Sequence, residues 1–150
     1  MGKTTRAGKR IMVIDHGGNW RGAGTAWYLA GHGHEVILVS PAASTCGELT
    51  RSCADYPLRR KLKQLGARFI TDSVIKTWHG DRATLVDVMD GTEQTVECDA
   101  LVLATPNVAE TSVIEELTQA DVDVQTVGDC VAPRWAVHAI YEGRKLALTL

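Results

Sequence analysis

Two short apolar runs, Ile11-Met12-Val13-Ile14 and Val36-Ile37-Leu38-Val39, are separated by a glycine-bearing turn and one stretch of helical periodicity. No other feature of the sequence narrows the choice of fold as much. Runs this short and this uniformly apolar read as buried strands. Between them, Ala23, Ala26, Trp27 and Ala30 recur at i, i+3, i+4 and i+7, which gathers them on one face of a helix from about residue 20 to 31. Gly31-His32-Gly33 stops that helix, as glycine does just past a helix C-terminus. Strand, glycine turn, helix, strand is the first βαβ unit of an α/β fold.

The remaining segments extend the pattern. Residues 1–10 carry four Lys or Arg and no apolar run, and read as a flexible basic tail. After a loop from Pro41, Asp55 and Pro57 open a second helix, with Leu58, Leu62 and Leu65 at i, i+4 and i+7 and Gly66 as its stop. Arg68-Phe69-Ile70 is a strand. Residues 83–89 and 92–98 flank Asp90-Gly91 as an antiparallel β-hairpin. Residues 100–105 form another buried strand, and Ser112 with Glu115 makes a capping box for a helix to about Gln119. Residues 122–127 read as a last strand and 133–148 as a closing helix. The expected fold is α/β: a Rossmann-like parallel sheet with helices on both faces and an antiparallel β-hairpin insertion. The expected boundaries are an NAD(P)-binding-like domain over 11–120 and a C-terminal strand and helix over 121–150.

Composition removes several function classes. The chain has 150 residues, 45% of them hydrophobic and 23% charged, as a globular domain of ordinary size does. A net charge of −2 gives no footprint for nucleic acid. The apolar run after the basic N-terminus is far too short for a membrane span or a signal sequence. Four cysteines, at 46, 53, 98 and 130, form no Cys-x-x-Cys pair, which suits a reducing cytoplasm. The five histidines are scattered. His32 and His34 flank Gly33 without a third ligand in view, so no metal is expected. Cys130 follows Asp129, and a neighbouring carboxylate raises a thiol's pKa, so an inert, buried Cys130 is expected.

Three places could carry chemistry. The first is the turn Asp15-His16-Gly17-Gly18-Asn19-Trp20-Arg21-Gly22. A dinucleotide fingerprint there uses one glycine to turn, one to admit the pyrophosphate and one to seat helix on strand. Gly22, four residues before Ala26, suits the seating role, and Gly18 suits the turn, where an added methyl is expected to be mild for stability. The phosphate end suits it poorly: Asn19 stands at the second glycine position, and Asp15 would repel a phosphate unless Arg21 offsets it. The alternative is a βαβ unit whose glycines serve turn and packing alone. The second place is Ser40 at the end of the second strand. An NAD site usually has an acid there for the ribose hydroxyls, and here none exists. The third is Gly128-Asp129-Cys130-Val131-Ala132-Pro133-Arg134, which puts a carboxylate where α/β proteins bind ligands, ahead of a helix N-terminus.

Taken with VIDHGGNWRGAGTAWYLAGHGHEVILVS, LRRKLKQLGARF and DALVLAT, the segment VGDCVAPRWAVHAIYEGRKLALTL resembles the C-terminal nucleotide-binding region of the flavoprotein family of 2,4-dienoyl-CoA reductase and trimethylamine dehydrogenase, long members of the old-yellow-enzyme group. The resemblance runs from about Ile11 onward. It implies that residues 11–120 correspond to an NAD(P)H-binding domain and residues 121–150 to the last segment of an FAD-binding domain. It makes Asp129 and Arg134 nucleotide-facing, beside Gly18, Arg21, Gly22 and Ser40. It implies an FAD or ADP moiety shared with a partner, and NAD(P)H as a further nucleotide. The partner is a larger flavoprotein subunit or the rest of a longer polypeptide. The family's flavin-bearing barrel needs roughly 200 residues or more, which this sequence does not contain. Its iron–sulfur cysteine cluster is also absent, since Cys46 and Cys53 stand seven apart and the other two are isolated. Ala104-Thr105-Pro106 departs from the Ala-Thr-Gly common in related flavoproteins, and proline removes an N–H there. The expected function is a nucleotide-binding-type subunit or domain of a multi-part flavin oxidoreductase, not catalytic alone. The alternative is a vestigial structural module that binds no nucleotide and packs against a larger subunit.

Overall fold

The structure is a computed structural model that describes residues 9–149; of the tail read over residues 1–10, residues 1–8 lie outside them, and Arg10 belongs to the first strand instead, paired with Glu35. The chain divides into two compact units, Met1–Thr105 and Pro106–Leu150.

The first unit contains β1 (Arg10–Asp15), α1 (Trp20–Gly31), β2 (Glu35–Val39), α2 (Asp55–Gln64), β3 (Arg68–Ile70), β4 (Ser73–Trp78), β5 (Arg82–Asp87), β6 (Glu93–Glu97) and β7 (Ala100–Ala104). Four strands form a parallel sheet in the order β3-β2-β1-β7. β1 lies inside the sheet, with Ile11 paired to Val36 on one side and Ala100 on the other. A strand covered on both faces must be apolar at every position, which is why Ile11, Met12, Val13 and Ile14 are all buried.

The pleat sends alternate side chains to opposite faces. Ile11, Val13, Val36 and Leu38 meet Ala23, Ala26 and Ala30 of α1 and Leu58 and Leu62 of α2. Small side chains on α1 let that helix lie close to the strands. Met12, Ile14, Ile37, Val39 and Ile70 meet Ala83, Leu85, Val96 and Cys98 instead. Those residues belong to the hairpin insertion, which β4 extends to a three-stranded antiparallel sheet in the order β4-β5-β6. The second face of the parallel sheet in this unit is therefore covered by strands, and helices α1 and α2 share the first. β4 was not foreseen. Its pairing with β5 shifts register between Ile75 and Thr77, which breaks the alternation that marks a strand in sequence.

The second unit contains α3 (Ser112–Gln119), a 3-10 turn over Gly128–Cys130 and α4 (Ala136–Ala147). α3 starts where expected, but Ser112 is its first helical residue and Thr111 its cap position. The Glu110 carboxylate accepts from the Ser112 N–H at 2.9 Å and the Thr111 hydroxyl donates to Glu115 at 3.2 Å, in place of the expected capping box. Residues 122–127 form no strand and pair with none among the described residues. Among the described residues no helix is long and apolar enough to cross a membrane.

Candidate functional site

β1 ends at Asp15, the chain turns through His16-Gly17-Gly18, and Asn19 caps α1 with its side-chain oxygen on the Arg21 N–H at 2.9 Å. This turn lies at the C-terminal edge of the parallel sheet, where α/β folds place ligands, with the positive end of a helix dipole beside it. The loop after β2 closes on it, because the Glu48 N–H donates to the Gly18 carbonyl at 3.1 Å.

Asp15 is the most unusual residue of the turn. Its side chain is fully buried, at 0% exposure. One carboxylate oxygen, Oδ1, accepts from the Gly17 N–H at 3.2 Å and the Gly18 N–H at 3.0 Å. The other, Oδ2, has no hydrogen-bond partner among the described residues. Burial pushes the Asp15 carboxyl above the ordinary aspartate range, while the Gly18 and Gly17 N–H groups and the charges of His16 and Arg21 pull it down; burial prevails. Thr45, also buried, has a hydroxyl without a partner among the described residues. Burial likewise raises the thiol of the adjacent Cys46.

The sequence-predicted residues belong to both units, Gly18, Arg21, Gly22 and Ser40 to the first and Asp129 and Arg134 to the second. In the first unit, Gly22 lies where α1 meets the end of β1: a Cβ built on it would stand 2.3 Å from the Asp15 carboxyl carbon. Arg21 sends its guanidinium to the Thr105 carbonyl at 2.9 Å. Ser40 follows β2 as expected, but it is buried and its hydroxyl oxygen accepts from the Ala42 N–H at 3.3 Å. Gly18 has φ +59, and a Cβ there would meet the Gly47 nitrogen at 3.0 Å. Gly18→Ala is thus expected to lower stability by about 1 kcal/mol, through the left-handed backbone and the contact together, rather than be mild. Urea melts of the variant against the parent check this.

In the second unit, the Gly128 N–H donates to Glu142 Oε2 at 2.8 Å, and the same carboxylate pairs with Arg134. These contacts hold the Glu142 carboxyl below its usual range, the Gly128 N–H most of all. Arg134 also donates from Nε to the Ala132 carbonyl at 3.2 Å. Asp129 is exposed and accepts weakly from the Arg134 N–H at 3.5 Å. Cys130 is half-buried rather than buried, with its thiol directed to the Val127 carbonyl. A hollow of about 280 Å3 is lined by Asn107, Val108, Glu110, Asp129, Cys130 and Pro133. Glu110 and Glu142 escaped the sequence reading. Glu142 lies fourteen residues beyond Gly128, and no local pattern links two positions so far apart. Among the described residues, no group of three or more His, Cys, Asp and Glu is placed to hold a metal ion.

The family model described as pyridine nucleotide-disulphide oxidoreductase matches residues 2–143. No curated protein matches the sequence. Among solved structures, histamine dehydrogenase from Rhizobium sp. 4-9 is similar with a TM-score of 0.84 and 21% identity, over 94% of this chain and 23% of that one. The 6-hydroxypseudooxynicotine amine oxidase from Pseudomonas geniculata N1 is similar with a TM-score of 0.81 and 22% identity, over 93% of this chain and 22% of that one. A 2-naphthoyl-CoA reductase in complex with 2-naphthoyl-CoA has a TM-score of 0.75 and 23% identity, over 97% of this chain and 22% of that one. At these identities the likeness is one of fold. The chain spans under a quarter of the length of each of these three structures.

Proposed function

The chain belongs to the pyridine nucleotide-disulphide oxidoreductase family, and from that premise we propose that it is the nucleotide-binding-type part of a multi-part, flavin-dependent oxidoreductase of the 2,4-dienoyl-CoA reductase and trimethylamine dehydrogenase type, working in the cytoplasm and not catalytic alone. The observation that carries the reading is the fold likeness over nearly the whole chain to about a quarter of three much larger proteins, a dehydrogenase, an amine oxidase and a reductase. The larger flavoprotein partner, or the rest of a longer polypeptide, would hold the centre where substrate reacts.

Two features of the chain support a placing role. The hollow beside Asp129 presents two carboxylates, Glu110 and Asp129. Carboxylates accept hydrogen bonds from hydroxyls and repel phosphates, so these residues fit the ribityl or ribose hydroxyls of a flavin nucleotide, with its phosphates held by the partner. When bound, the flavin supplies the hydride and electron chemistry, and the protein supplies position and electrostatics. α4 supports the partner. Val137, Ile140 and Tyr141 fall on one side of it at helical spacing and are 65%, 71% and 66% exposed, and Trp135 just before it is 62% exposed. Apolar surface of this kind usually marks an interface.

The chain expressed with its partner is expected to purify with a flavin absorption band, and native mass spectrometry is expected to show both components. A monomer that gathers neither flavin nor protein from its source cell would overturn the proposal. A second reading, favoured by the Asp15 carboxylate in the glycine turn, is a structural module that binds no nucleotide and packs against a larger subunit. A complex whose flavin content is unchanged by Asp129→Ala would favour that module.

A further inference from the structure

Resting on the family assignment, we infer that the glycine turn at the end of β1 is closed to a dinucleotide pyrophosphate, and that Asp15 is the residue that closes it. A pyrophosphate is held at such a turn by backbone N–H groups aimed at its oxygens and by close approach of the backbone. Here the Gly17 and Gly18 N–H groups already donate to Asp15 Oδ1. The turn has supplied its own anion.

Space and charge act in the same direction. The Asp15 carboxyl fills the gap under the first turn of α1 so closely that a Cβ on Gly22 would overlap its carbon and Oδ1 at 2.3 and 2.4 Å. The second oxygen, Oδ2, is buried and lacks a donor among the described residues. A phosphate oxygen is an acceptor too, so it cannot supply the missing hydrogen bond, and it adds negative charge beside a carboxylate shielded from water. The Arg21 guanidinium reaches back to the Thr105 carbonyl. At the end of β2, the ribose-binding acid is replaced by Ser40, whose hydroxyl serves the Ala42 N–H. The family's nicotinamide dinucleotide therefore does not fit this turn. Nucleotide recognition by this chain falls to the carboxylate-lined hollow around Asp129.

The test follows the Gly17 and Gly18 amides by nitrogen-edited NMR while NADH is titrated into the 150-residue chain and into Asp15→Ala. In the parent, the two amides are expected to stay in place up to millimolar NADH. In Asp15→Ala they are expected to shift saturably, with affinity raised at least about tenfold over the parent. Should the alanine variant fail to fold, Asp15→Gly carries the same measurement, since it too removes the carboxylate from the turn. Saturable shifts of both amides in the parent overturn the inference. So does a folded Asp15 variant whose amides ignore NADH as the parent's do. Neither result touches the flavin band of the complex, so failure here is distinct from failure of the functional proposal.

Discussion

Gly22→Val is expected to cost about 3 kcal/mol of folding stability, a large share of the margin of an ordinary domain. The reason is the meeting of α1 with the end of β1. Even the first carbon of a side chain at position 22 would stand 2.3 Å from the Asp15 carboxyl carbon and 2.7 Å from its Cβ. Asp15 cannot swing aside, because it is fully buried and anchored to two backbone N–H groups. The strand behind it is central in the sheet, so the helix must move instead. That would open the contacts of Ala23, Ala26 and Ala30 with Ile11, Val13 and Leu38. Urea melts read the loss directly; a variant with the parent's midpoint would remove Gly22 from this role.

Asp15→Asn is expected to act in the opposite direction at neutral pH by removing the buried charge, a gain offset in part by the amide NH2 that takes the unpartnered place of Oδ2. The amide oxygen can still accept from Gly17 and Gly18, and no buried negative charge remains. The pH dependence gives the sharper signature. Burial raises the Asp15 pKa in the folded chain. Below the ordinary aspartate value, near 4, the carboxyl is protonated both folded and unfolded. As pH rises above that value, the unfolded chain releases the proton while the folded chain keeps it, so stability falls until the raised folded pKa is passed. Carboxylates with lowered pKa values, such as Asp99 and Glu142, contribute in the reverse sense, but equally in both proteins. The stability of parent minus variant should therefore decline from pH 4 toward neutrality. A difference that stays flat over that range would show that the Asp15 carboxyl is ionised at no cost.

Periodicity and glycine position made much of the first unit legible. β1, α1, β2, α2, β3 and β7 each stand where an apolar run or a helical repeat stands, because burial on one or two faces dictates those patterns residue by residue. Asp90-Gly91 announced β5 and β6 for the same reason: turn geometry is local. Gly22 was legible too, from its distance to Ala26 and its place after a strand.

Pairing between distant segments was not legible. Val122, Val124 and Val127 carry strand-forming residues, yet a strand is completed only by hydrogen bonds to a neighbour, and this segment pairs with none among the described residues. β4 is the converse: a bulge blurs its alternation, but β5 supplies the partner. What covers the second face of the parallel sheet was likewise settled by Ala83, Leu85, Val96 and Cys98 arriving from far along the chain. The candidate site divides in the same way. From sequence, Asp15 is a carboxylate near a turn and Arg134 a cation near a helix start. Tertiary structure decided that Asp15 folds back onto Gly17 and Gly18, and that Glu142 takes both Arg134 and the Gly128 N–H. Propensity and burial pattern are written into neighbouring residues, whereas the partner of a buried or paired charge is chosen by whatever the completed fold brings within hydrogen-bond reach.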